Sequence, residues 1–125
     1  MHLFDKHQPD LNWDNANVRN DIYDMVNYWI DCGVEGFRLD VIDLVGKEPS
    51  NKITGHGPNF IKYLNELNSS TFKDDILTVG ECWNSSIEQA NKMCNEVDLT
   101  QVFHFTYLIQ TNGDDKWDKK RVDLI

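Results

Sequence analysis

Val18, Ile22, Met25, Val26, Trp29 and Ile30 recur at the three-and-four spacing of one helix face, with polar residues filling the other face. Asp14 or Asn15 is available as a cap and Gly33 stands where a helix stops, so the spacing predicts a helix beginning near residue 17. Trp29, on its apolar face, is expected in the core. Residues 34–41 follow with no room for a long loop and read as a buried strand. Residues 43–55, rich in Lys, Glu, Pro, Ser, Asn and Gly, read as an exposed loop. Gly57-Pro58 opens a second helix to about residue 67, with Phe60, Ile61, Leu64 and Leu67 on one side and the proline at a tolerated first-turn position. Residues 76–80 form a second strand. Ser85 and Glu88 have the spacing of a capping box, announcing a third helix that carries Ile87, Ala90, Met93, Cys94 and Val97. Residues 102–109, largely aromatic and apolar, fit a third strand. Residues 1–13 show neither period, and Pro9 argues for a loop.

Helix, strand, helix, strand, helix, strand is an α/β order, and such units predict a parallel sheet with right-handed crossovers. Doubly wound and barrel folds both satisfy it. At 125 residues the chain has about half of the ~250 that a closed eight-stranded barrel needs, so a barrel reading makes it a fragment with poor stability alone. A hydrophobic share of 40% argues for a packed domain rather than disorder. The net charge of −9, from 21 acidic and 12 basic residues, would repel a polyanion and excludes nucleic acid as a partner. No apolar run approaches the ~20 residues of a membrane span. Cys32, Cys82 and Cys94 lack metal-ligand spacing and are odd in number; together with the absence of a signal-peptide pattern, this leads to an expected cytoplasmic location.

The chemistry concentrates at two strand ends. In Gly36-Phe37-Arg38-Leu39-Asp40 the period of two puts Arg38 and Asp40 on one face, and the second strand ends in Glu81. Two carboxylates facing one cleft can hydrolyse a glycosidic bond if one stays ionised to attack and the other holds a proton to give. Arg38 favours the charged form of Asp40, which makes Asp40 the nucleophile. Glu81, between Gly80 and Cys82-Trp83, has no cation among its sequence neighbours, which suits an acid and base. The plainer alternatives are an ordinary ion pair for Arg38 and Asp40 and a solvated glutamate at a loop edge for Glu81. A metal-dependent enzyme using Asp40, Glu81 and His104 is a further alternative, opposed by the Arg38 charge. Trp83 is the tryptophan placed to reach a pocket, among Trp13, Trp29, Trp83 and Trp117. His7, His56 and His104 are read as structural, and no metal or cofactor is expected.

Gln8-Pro9-Asp10-Leu11-Asn12, Gly36-Phe37-Arg38-Leu39-Asp40-Val41-Ile42 and Thr78-Val79-Gly80-Glu81 resemble, in order, three signature regions of the α-amylase family of glycoside hydrolases. The likeness is to its bacterial oligo-1,6-glucosidase, dextran glucosidase and trehalose-6-phosphate hydrolase branch. It implies the central part of a (β/α)8 TIM barrel, roughly third helix to sixth strand, with residues 1–13 a loop from a preceding insertion. It implies Asp40 as nucleophile, Glu81 as proton donor and Arg38 as a contact to the nucleophile and sugar. Val41 matches a position where the branch carries valine in enzymes acting on α-1,6 bonds, so an oligosaccharide substrate with such bonds is expected. Trehalose-6-phosphate hydrolysis is a rival that needs a basic group for the phosphate, with Lys47 the candidate. Sucrose isomerisation or transglucosylation shares the same intermediate. A noncatalytic relative is a rival of another class, distinguished by loss of the acids, both of which are present. The family's early histidine motif and later Asn-His-Asp motif, with its third carboxylate, have no counterpart in these residues.

Overall fold

The computed structural model describes residues 2–73, 75–83, 85–103 and 105. Residues 2–13 contain no helix or strand. Helix α1 spans Ala16–Asp31 and begins where the Asn15 side chain accepts the Asn17 N–H at 3.0 Å. It ends at Gly33, whose φ of 94° a glycine adopts without the clash that a Cβ brings.

The buried face of α1 is Arg19, Tyr23 and Val26, one position round from the apolar stripe that the sequence offers. Arg19 sets that rotation. Its Nε donates to both Glu66 oxygens, at 3.1 and 3.2 Å, and an Nη donates to the Trp13 carbonyl at 2.7 Å. A paired arginine can take a core position that hydrophobic counting denies it. Trp29 is consequently half exposed, edge-on to Tyr28 at 5.4 Å, and the expectation that it lies in the core is corrected.

Strands β1 (Gly36–Leu39), β2 (Leu77–Gly80) and β3 (Gln101–Val102) pair in sequence order, all parallel. The register Leu39↔Gly80 aligns the ends of the first two. β3 stops at Val102, and most of the strand expected over 102–109 lies outside the described residues. Thr78 and Thr100 reinforce the sheet with their side chains: each hydroxyl accepts the other's backbone N–H, at 3.0 and 3.1 Å.

Helix α2 (Phe60–Thr71) runs four residues past the expected end, and Pro58 lies in the turn before it rather than in its first turn. Helix α3 (Ile87–Glu96) carries a capping box one residue later than expected: Ser86 accepts the Gln89 N–H at 3.1 Å and Gln89 accepts the Ser86 N–H at 2.8 Å. Ser85 is instead buried. Tyr23, Ile42, Val45, Phe60, Leu64, Leu67, Met93, Val97 and Leu99 form the core, drawn from all three helices and the loops that follow β1 and α3.

Residues 43–55 depart most from expectation. Instead of an exposed loop they form two 3-10 turns, Ile42–Leu44 and Pro49–Asn51, with Asp43, Val45 and Gly46 buried. Gly57 seals this segment against the start of α2. A Cβ there would lie 2.0 Å from the Gly46 carbonyl oxygen, so only a hydrogen fits.

Candidate active site

Arg38 stands on β1, Asp40 is the first residue beyond it, and Glu81 is the first beyond β2. The strand pairing continues through Glu81, whose N–H donates to the Leu39 carbonyl at 2.9 Å and whose carbonyl accepts the Ile42 N–H at 3.0 Å. Both carboxylates therefore emerge at the C-terminal end of adjacent parallel strands, where α/β folds place their chemistry. One guanidinium spans them. An Nη of Arg38 lies 2.9 Å from Asp40 Oδ1, and the other donates to Glu81 Oε2.

This geometry overturns one premise of the sequence reading. Glu81 does have a cationic partner, placed 43 residues upstream and brought over by the β1–β2 register. Desolvation opposes the Arg38 charge, but its bonds to Glu81 and Asp40 outweigh that and raise its pKa. The two acids sit in unlike surroundings: the Asp40 side chain is 67% exposed, that of Glu81 only 8%. Val41 follows Asp40 with φ 40° and ψ 45°, a left-handed conformation costly for a β-branched residue. The kink turns the chain off the sheet and leaves the Val41 N–H 3.5 Å from Glu81 Oε2. Asp40 and Val41 line a depression of about 280 Å³, closed on its other side by the loop from Phe4 to Trp13.

Lys47 is tied to Asp10 at 3.0 Å, with both side chains largely buried. It also lines the depression beside Asp40 and Val41, with its charge matched by Asp10. Trp83 lies two residues past Glu81, half exposed, stacked on Phe105 with ring centroids 4.4 Å apart. Trp117 and His104 lie outside the described residues, and among those described no three His, Cys, Asp or Glu side chains gather as metal ligands.

Asp43 escapes sequence reasoning because it comes from the supposedly exposed loop, and His56, read from the sequence as structural, packs against it. Asp43 is 6% exposed, and its Oδ1 has no hydrogen-bond partner among the described residues. Burial raises its pKa, opposed by the charge of His56 and aided by that of Glu81. His56 donates its backbone N–H to the Asp43 carbonyl at 2.8 Å, and its Nε2 lies 3.0 Å from Ser85 Oγ. Burial lowers the His56 pKa, partly offset by Asp43. Cys82 is pushed up to about 12, by burial first and then by Asp43. No local pattern in the sequence joins Asp43 to His56, thirteen positions apart.

The family model described as the alpha amylase catalytic domain matches residues 1–125. The glucan 1,6-alpha-glucosidase of Streptococcus dysgalactiae subsp. equisimilis is 49% identical over 123 residues, covering 94% of this chain and 23% of that protein. The oligo-1,6-glucosidase of Bacillus cereus is 39% identical over 143 residues, covering 100% and 26%. The crystal structure of Bacillus licheniformis trehalose-6-phosphate hydrolase superposes with a TM-score of 0.84 at 34% identity, covering 91% of this chain and 23% of that one. The chain thus spans about a quarter of the length of the curated relatives it matches.

Proposed function

The chain belongs to the alpha-amylase family of glycoside hydrolases, and from that premise we propose that it forms the catalytic heart of a retaining α-glucosidase cleaving α-1,6 bonds of oligosaccharides. Its parallel units are part of that family's (β/α)8 barrel. The observation that carries the reading is the Arg38 fork, which gathers Asp40 and Glu81 at one end of the sheet. In the proposed reaction the Asp40 carboxylate attacks the anomeric carbon while Glu81 protonates the departing glycosidic oxygen. A glucosyl ester on Asp40 results. Glu81, now ionised, takes a proton from water, which attacks the same carbon, releases glucose with its configuration retained and restores both acids.

Exposure fits these roles. Asp40 faces the depression where a sugar ring would lie, and Glu81 sits deeper, away from bulk water. Trp83 and Phe105 offer an aromatic surface beside the acid for the leaving sugar. Val41 at the mouth and the names of the 1,6-glucosidase relatives favour α-1,6 linkages. For trehalose-6-phosphate, the one basic residue that the sequence nominates, Lys47, is committed to Asp10.

The test uses the full-length protein on isomaltose, p-nitrophenyl α-glucoside and trehalose-6-phosphate, with proton NMR following the first anomer released. Isomaltose should be the preferred natural substrate, releasing α-glucose. Asp40→Asn should lower turnover by orders of magnitude on every substrate. Near-normal turnover in that variant refutes the assignment.

A further inference from the structure

The depression beside Asp40 has one wall that the sheet does not supply, formed by Phe4, Gln8, Pro9, Asp10, Leu11 and Trp13. The end of this wall nearest α1 is well seated: the Trp13 carbonyl accepts from Arg19 at 2.7 Å, and Asp14 accepts from the Tyr63 hydroxyl at 2.6 Å. Residues 2–11 are held differently. Among the described residues their hydrogen bonds stay within the loop, where the N–H groups of His7 and Gln8 both turn back to Asp5. The polar contact that leaves the loop is the ion pair between Asp10 Oδ1 and Lys47 Nζ, at 3.0 Å.

We propose that Asp10 and Lys47 are positioning residues for the substrate, a latch that holds residues 4–11 at the distance from Asp40 at which a glucose ring is bound. The inference rests on the glucosidase reading above. Three features support it. The two side chains are only 14% and 16% exposed, so water and salt screen the pair less than they would a surface pair. Asp10 Oδ2 is buried without a hydrogen-bond partner among the described residues, so the carboxylate depends on Lys47. Loss of the ammonium leaves a buried charge alone, which the loop relieves by lifting Asp10 into water. Lys47, for its part, is joined to the chain that carries the nucleophile: it lies seven positions after Asp40, beyond a turn in which the Leu44 N–H donates to the Val41 carbonyl at 3.0 Å and the Val45 N–H to that of Ile42 at 3.1 Å. The pair also stands between two spaces. Asp10 and Lys47 line both the depression beside Asp40 and a second one of about 320 Å³ that Asn12, Asp14 and Pro49 help to enclose. Opening the latch joins the two and lets the ring drift from Asp40.

The experiment measures kcat and KM for isomaltose in the full-length enzyme, with hydrogen exchange of residues 4–11 as a second readout. Lys47→Met and Asp10→Ala should each raise KM about tenfold while kcat stays within about a factor of two, the pattern of lost substrate positioning. Exchange in residues 4–11 should quicken in both. Exchanging the partners, Asp10→Lys with Lys47→Asp, should bring both readouts back toward wild type. Should a single variant fail to fold, Asp10→Asn with Lys47→Met removes both charges at nearly constant volume and carries the same expectation for KM. Folded variants with KM unmoved overturn the latch, as does an exchanged pair no better than the single variants. A fall in kcat as large as the rise in KM also overturns it, because it marks disturbance of the acids themselves. A Lys47→Met defect confined to trehalose-6-phosphate overturns it too, and makes Lys47 a phosphate contact. Asp40→Asn separates the two claims. If it abolishes turnover while the latch variants match wild type, the latch alone is wrong; if it keeps near-normal turnover, the glucosidase assignment fails.

Discussion

Gly57→Ala tests whether the loop under the acid is as tightly seated as its geometry implies. A Cβ at Gly57 would stand 2.0 Å from the Gly46 carbonyl oxygen, where real Cβ contacts essentially never fall below 3.0 Å. The segments must separate by about 1 Å, because the obstacle is backbone and cannot rotate away as a side-chain tip would. Such a shift carries the 2.8 Å bond between His56 N–H and the Asp43 carbonyl beyond the ~3.2 Å limit of a useful hydrogen bond. Overpacking costs about 1–3 kcal/mol and the lost bond about 1 kcal/mol, so the variant should lose about 2–4 kcal/mol in all. Gly33→Ala is the internal reference. It has φ 94° but nothing within 4 Å of the added atom, so it bears the conformational penalty alone, about 1–2 kcal/mol. Urea unfolding of the two full-length variants measures the difference, and the Gly57→Ala midpoint should be the lower. Equal midpoints, or a lower one for Gly33→Ala, would refute the close approach.

Ser86→Ala should cost about 1 kcal/mol by removing the cap of α3, whereas Glu88→Gln, at the position the sequence pattern favoured, should shift the urea midpoint by less than about 0.5 kcal/mol equivalent. His56 supplies a pH signature. Its folded pKa lies below the ordinary 6.5, so the unfolded chain binds the proton more readily, and stability is lost as pH falls from about 6.5 through the folded value. The wild-type midpoint should therefore drop more on acidification from about pH 8 to 5.5 than that of His56→Gln, and parallel curves would exclude this linkage.

Element order was legible because each helix and strand shows its own period, and α1, α2 and α3 all form where apolar spacing places them. Burial was less so. Periodicity counts apolar residues, and it cannot anticipate that Arg19 will find Glu66 on another helix and turn α1 by one position, leaving Trp29 outside. The cap of α3 slipped by one because Ser85 and Ser86 are followed at the same spacing by Glu88 and Gln89, and only packing against His56 decides between them. At the site, the pairing of Arg38 with Asp40 followed from strand alternation, a local rule. The bond from Arg38 to Glu81 depends on register between strands, and the burial of Asp43 depends on a loop whose polar composition suggested solvent. Long-range pairing is the physical information that a one-dimensional pattern lacks.

The backbone of Glu81 is held on both sides by the neighbouring strand, through Leu39 and Ile42. Its reach toward Asp40 is thereby inherited from sheet geometry and owes nothing to the length of the loops that follow. The segment between Gly46 and Gly57, in contrast, is seated by side-chain and backbone contacts, Lys47 on Asp10 and His56 on Asp43 and Ser85, so a change of length there would disturb the ground beside Asp40. The placement of the two carboxylates is thus a property of the sheet, while the depression beside Asp40 is shaped by the separate loops that pack around it.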